Sequence, residues 1–134
     1  MTKRSVVVTF LSAALLLLLL TGRAWAHHGS RVSYDLTRTV TLTGIVKEVS
    51  YTNPHVYFTF DVKDAQGKVT EWGAETDPPI MLERRYNWSK KYVKAGDRVT
   101  VTVWPSKVGA PRGFLAKLVT ADAKILDHQE QPQQ

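Results

Sequence analysis

The chain has 134 residues, with 18 Lys and Arg, 12 Asp and Glu, and no Cys. Without Cys no disulfide can staple the fold and thiol catalysis is excluded. Lys3, Arg4 and Arg23 fall in the first 26 residues, which hold no acid; the 108 residues that follow carry 15 basic and 12 acidic side chains. That leaves a net charge of about +3, mixed in sign, which argues against nucleic acid as a partner.

Lys3 and Arg4 precede an apolar run over residues 6–20 that is dominated by Val, Ala and Leu, and Ala24-Trp25-Ala26 places small residues where signal peptidase requires them. Residues 1–26 therefore read as a signal peptide cleaved after Ala26. An uncleaved anchor would need about 20 apolar residues, and Gly22 and Arg23 interrupt the run first. The expected product is periplasmic or secreted, with no membrane span after cleavage and no thiol for a lipid anchor.

Residues 27–38 show no periodicity and are expected to form an extended arm. Val40 and Leu42 alternate with Thr39, Thr41 and Thr43, the pattern of a half-buried strand, and the apolar phase shifts after Gly44, which suggests a bulge or bend. Val56, Phe58, Phe60 and Val62 alternate with His55, Tyr57, Thr59 and Asp61 in a second strand. Asp64-Ala65-Gln66-Gly67 reads as a hairpin turn, and residues 69–75 as a third strand. Asp77-Pro78-Pro79 can open a short helix with Asp77 as its cap, carrying Ile80, Met81, Leu82 and Tyr86 on one side, and Ser89 can cap a further turn reaching Val93. Val99, Val101 and Val103 mark a fourth strand and residues 113–125 a fifth. The Gln-rich residues 127–134 are expected to be a disordered tail.

Three strands, a short helix and two more strands give an all-β domain over residues 39–126, with the outline of an OB-like five-stranded Greek-key barrel. Another small barrel or sandwich is the competing arrangement.

The new N-terminus is the most informative point for chemistry. His27 would carry both an imidazole and a free α-amine of pKa about 7.7–8.0, and the two nitrogens can close a chelate on one metal. A second imidazole opposite would complete a T-shaped three-nitrogen site, a histidine brace, which suits Cu(II), with Zn(II) or no metal as alternatives. His55 is the candidate second imidazole, because Asn53-Pro54 should turn the chain just before it. His28 is an alternative ligand, and Tyr34, Asp35 and Glu75 are candidate outer partners. Against this stands the ordinary behaviour of an exposed His-His start, which binds copper whenever copper is offered.

Other chemistries are weaker. No third group completes a nucleophile triad around Ser30 and His28, and no phosphate loop is present. Glu71, Glu75 and Asp77 resemble a carboxylate cluster but fit the wet face of a strand. Trp72 is expected in the core and Trp104 exposed or against the helix. Arg84-Arg85 and Lys90-Lys91 read as solvated charges.

A linked series of motifs runs through the chain: Ala26-His27-His28-Gly29-Ser30, Tyr34-Asp35, residues 40–46 (VTLTGIV), Thr52-Asn53-Pro54-His55-Val56, Gly67-Lys68-Val69 with Trp72, and residues 96–101 (GDRVTV). Over roughly residues 26–120 the series resembles the small exported bacterial proteins of domain of unknown function 6152. It departs from the usual family pattern by one extra residue, Gly29, before Ser30, and in Tyr86-Asn87-Trp88-Ser89. The resemblance implies an exported β-domain and makes the pairing of His27-His28 with His55 look less accidental; it implies neither substrate nor reaction. The expected function is periplasmic binding of Cu(II) through His27, His55 and His28, more a carrier than an enzyme. The alternative is an OB-like adaptor that binds a protein or an oligosaccharide through Tyr57 and Trp104.

Overall fold

The computed structural model describes residues 30–129; the expected signal peptide, His27, His28 and residues 130–134 lie outside that range. Six strands are present: β1 (Val40–Tyr51), β2 (Val56–Lys63), β3 (Val69–Glu75), β4 (Arg98–Pro105), β5 (Arg112–Thr120) and β6 (Ile125–Asp127). One helix, α1 (Pro79–Tyr86), and a 3-10 turn (Lys90–Tyr92) separate β3 from β4, and another 3-10 turn (Ser30–Ser33) precedes β1.

β1 is long because it serves two partners. Residues 40–45 pair with β4 and residues 45–51 with β2, all antiparallel, with Ile45 shared between Arg98 and Asp61. The expected irregularity is present, but at Lys47, where the register breaks between Val46 and Glu48, and not at Gly44. Gly44 does a different job. A Cβ there would lie 2.6 Å from the Asp61 carbonyl oxygen and 3.0 Å from the Phe60 ring, so only glycine lets β1 cross β2 this closely.

β2 and β3 form the expected hairpin. The Asp64 carboxylate accepts from the Gln66 and Lys68 amides, and Gly67 supplies φ +86°. β4 continues into β5 antiparallel, and the barrel closes where Gly73, Ala74 and Glu75 of β3 pair parallel with Arg112, Gly113 and Phe114 of β5. The closed circuit is β1–β2–β3–β5–β4–β1, with the helix between β3 and β4. That strand order is the OB-like Greek-key barrel.

The inward positions of this circuit are apolar. Phe58, Phe60, Val99, Val101, Val103, Leu115 and Leu118 are buried, with Leu82 of α1 and Trp88 closing one end. Each such side chain contributes about 1.5–3 kcal/mol by leaving water. Trp72 is half-buried and packs against this core. The expected cap of α1 is not used. Pro78 holds the N-cap position with no side-chain bond, and Asp77 instead gives its carbonyl to the Val56 amide (3.3 Å). Consecutive prolines explain the change, because the first turn has fewer N–H groups to satisfy. Asn87 ends the helix in the left-handed conformation, and the Trp88 amide returns to the Leu82 carbonyl at 3.0 Å.

Both chain ends of the described domain depart from expectation. The expected fifth strand, residues 113–125, is two strands. After β5, Thr120 bonds Lys124 and Asp122 in a turn, Ala123 takes φ +62°, and β6 folds back on Lys117, Leu118 and Val119. The tail expected to be disordered from Asp127 is therefore structured at its start: Asp127 belongs to β6, and the His128 side chain is only 2% exposed. The arm is also more than an extended lead-in. Its 3-10 turn delivers Tyr34 to a bridge with Ser106, and the Asp35 amide bonds the Pro105 carbonyl at 2.8 Å, so the arm is sewn to the end of β4.

Candidate functional site

His55, Tyr57 and Thr59 point to the outer side of β2, because Val56, Phe58 and Phe60 point in. The same alternation turns Glu71, Gly73 and Glu75 outward on β3, and closure of the barrel extends the row. Tyr57 faces Glu75 in register, Glu75 faces Phe114, and Phe114 faces Trp104. The outer surface of four strands thus carries Tyr57, Glu75, Phe114 and Trp104 side by side.

Glu75 is the hub of this surface. One carboxylate oxygen bonds Nδ1 of His55, and the other accepts the Tyr34 hydroxyl at 2.8 Å. His55 retains 34% exposure of its side chain, Glu75 18%, and Tyr34 is buried. A carboxylate only accepts, so Nδ1 carries the proton of the neutral ring and Nε2 carries the lone pair. Burial pushes the Tyr34 hydroxyl far above its ordinary pKa, and the bond to Glu75 adds to the shift; the Arg112 guanidinium opposes it. Tyr34 is therefore a fixed donor throughout the physiological range.

Tyr57 adjoins this hub. A Cβ on Gly73 would lie 1.7 Å from the Tyr57 hydroxyl, so the phenol end of Tyr57 rests directly on the glycine. Burial raises the Tyr57 pKa, again opposed by Arg112. Glu48, Ser50, Tyr57 and Thr59 line a shallow depression on this side of the barrel.

Phe114 faces outward yet is buried, because three other parts of the chain cover it. Its ring lies 6.1 Å from Tyr34, 6.3 Å from Trp104 and 6.1 Å from His128, with the Arg31 guanidinium 4.9 Å above its face. Tyr86 of α1 then meets His128 at 4.6 Å. This outer aromatic cluster holds the arm against the barrel next to the Glu75 hub.

Among the residues expected at the site, the structure brings His55, Glu75 and Tyr34 together. Asp35 is not part of it, since its carboxylate takes Thr37 and Arg38. Tyr57 lies beside the hub, whereas Trp104 stacks on Phe114 and is half-buried. The three carboxylates Glu71, Glu75 and Asp77 do not converge: Glu71 pairs with Lys47, and Asp77 faces His128. Among the described residues no three His, Asp or Glu side chains form a metal shell. Arg112, Phe114 and His128 escaped the reading of the sequence. The simple alternation of β5 breaks at Ala116, where the register shifts between Thr102 and Val103, so the outward phase of Phe114 does not follow from Leu118, and His128 sits at the head of a Gln-rich stretch.

The model of a family of unknown function, DUF6152, matches residues 14–115. The chain belongs to this family. The DUF6152 match takes in Tyr34, His55, Tyr57, Glu75, Trp104 and Phe114, and ends before His128. No curated protein matches the chain. Among solved structures, the ZRD-deleted mutant of TiaS in complex with agmatine aligns at 19% identity with a TM-score of 0.46, over 72% of this chain and 24% of that one, so the chain spans only a small part of that protein's length. The mitochondrial single-stranded DNA-binding protein Rim1 of S. cerevisiae aligns at 12% identity with a TM-score of 0.49, over 65% of this chain and 96% of that one. The OB-like assignment of this DUF6152 member rests on its own strand order.

Proposed function

We propose that this DUF6152 member is an exported metal-binding protein, with Cu(II) the preferred ion, held by the amine and ring of His27 together with Nε2 of His55. The observation that carries this reading is the pair of bonds at Glu75. A metal-binding imidazole characteristically donates its other N–H to a carboxylate, which fixes the tautomer and raises the basicity of the ligating nitrogen. His55 has that arrangement, and Tyr34 locks the carboxylate from the other side.

The same bond bears on the origin of the remaining ligands. Tyr34 belongs to the arm, and residues 27–29 precede its 3-10 turn (Ser30–Ser33), a reach of about 10 Å at full extension. Cleavage after Ala26 would create an amine–imidazole chelate at the start of the arm that Tyr34 ties to the Glu75–His55 pair, with His28 as an alternative donor. Such a site has open positions, which suits carriage or buffering of the ion in the periplasm or outside the cell. Zn(II) is the second choice, because three-nitrogen tetragonal geometry favours copper.

A second reading has its own observation. The depression beside Tyr57, with Glu48, Ser50 and Thr59 around it, fits an adaptor for a protein or an oligosaccharide. Trp104 adds less than expected to such a surface, since one face of its ring is occupied by Phe114.

Acetylation of the His27 α-amine separates the two readings. It removes the amine donor without creating another, so Cu(II) affinity measured by competition with a calibrated chelator should fall by at least about tenfold. Unchanged affinity would remove the brace, and loss of partner binding only on replacement of Tyr57 would favour the adaptor.

A further inference from the structure

His128 joins parts of the chain that are far apart in sequence. Its amide donates to the Ala116 carbonyl at 2.8 Å, and its Nε2 lies 2.8 Å from the Thr76 hydroxyl. The ring packs on Tyr86 and Phe114. Nδ1 is fully enclosed and has no hydrogen-bond partner among the described residues; the nearest carboxylate oxygen, on Asp77, is 3.6 Å away. A buried polar nitrogen without a partner costs stability, and a charge placed there would cost more.

The groups facing the ring come from every element packed on it. Asp77 in the link from β3 to α1 and Asp127 in β6 favour a charged ring, while Arg31 of the first 3-10 turn disfavours it. Tyr86 of α1 presents its own ring, with Arg85 acting on that phenol. Burial outweighs all of them and holds the imidazole below its ordinary pKa of 6.5.

The segment that carries His128 follows the short strand β6 (Ile125–Asp127). Leu126 is buried in the barrel core and anchors β6, and beyond it the Lys117–Asp127 pair and the contacts of His128 help to hold the segment. Local opening of such an end needs far less free energy than unfolding of the barrel.

We propose that residues 127–129 form a pH-sensitive strap, docked while His128 is neutral and released when it is protonated. Release bares Phe114 and Tyr86, so the strap decides whether the outer aromatic cluster is closed or presents an apolar surface. The docked state binds fewer protons than the released one. Its stability is therefore complete above the ordinary imidazole pKa of 6.5 and is lost as pH falls below it toward the depressed value. The strap lies beyond the residues matched to DUF6152, and this inference is independent of the metal site.

Hydrogen exchange at the position-128 amide of the intact protein, followed by NMR and corrected for the intrinsic rate, tests this. Protection should fall about tenfold per pH unit below about pH 6.5. His128→Phe keeps the aromatic packing and removes the titration, so its amide should stay protected across the range. Asp77→Asn should leave the onset near pH 6.5 and carry the loss of protection to lower pH than in the wild type, because the docked ring loses a group that favours its charge. Flat protection in the wild type, equal loss in His128→Phe, or a loss in Asp77→Asn that levels off at higher pH than in the wild type would each overturn the proposal.

Discussion

The barrel interior and the outer cluster around Phe114 are both buried and both aromatic, yet they are built differently. The interior is filled mainly from the strands, by Phe58, Phe60, three valines of β4, Leu115 and Leu118, with Leu82 and Trp88 closing one end. The outer cluster gathers single residues from the arm (Arg31, Tyr34), the helix (Tyr86), β4 and β5 (Trp104, Phe114) and the segment after β6 (His128), and nearly every member carries a polar atom. The comparison teaches a division of labour. Uniform apolar packing specifies the fold, and the mixed cluster positions the arm and the Glu75 hub, which is where chemistry can reside.

Truncation in the two regions should separate these roles. Phe60→Ala opens a cavity in the interior and should cost about 3–5 kcal/mol in urea unfolding. Phe114→Ala should cost less, about 2–3 kcal/mol, because a guanidinium and two tilted rings can close over the space. The informative outcome is qualitative. Phe114→Ala should disturb the NMR signals of Tyr34 and His55 in a protein that stays folded, whereas a matched loss that leaves those signals untouched would dissolve the distinction.

The same division explains what could be read from the sequence. Period-two alternation over Val56–Lys63 and Arg98–Pro105 marks which side of each strand faces the interior, and the turn at Asp64-Ala65-Gln66-Gly67 has a local signature, so the barrel order was legible. His55, Tyr34 and Glu75 were legible as residue types suited to a site. Their convergence was not, because it depends on β3 pairing with β5 and on Tyr34 bridging to Ser106, contacts between segments about 40 and 70 residues apart that no local pattern encodes. The irregularity in β1 was foreseen but misplaced. Gly44 signalled it, whereas the close crossing at Gly44 and the bulge at Lys47 are separate features. His128 was hidden for a compositional reason: the Gln-rich stretch after it reads as disorder, and one buried imidazole has no periodicity.

Smaller changes sharpen the role of the hub. Tyr34→Phe keeps the ring on Phe114 and removes only the bond to Glu75, so stability should fall by about 1 kcal/mol. Its larger effect should be on the ring orientation of His55, seen as line broadening of the imidazole signals. Lys47→Ala removes an exposed ion pair on the far end of the same sheet face and should leave thermal stability unchanged within error. A clear loss there would mean that the outer face is held by charge and not by the Phe114 cluster.

The most direct test of the metal reading is a Cu(II) titration of the protein cleaved after Ala26, followed by electron paramagnetic resonance, with His55→Ala measured beside it. A folded site predicts one tight equivalent with a three-nitrogen spectrum that is lost or loosened in His55→Ala. An identical spectrum and affinity in His55→Ala would contradict the account, because copper would then be held by the His-His terminus alone.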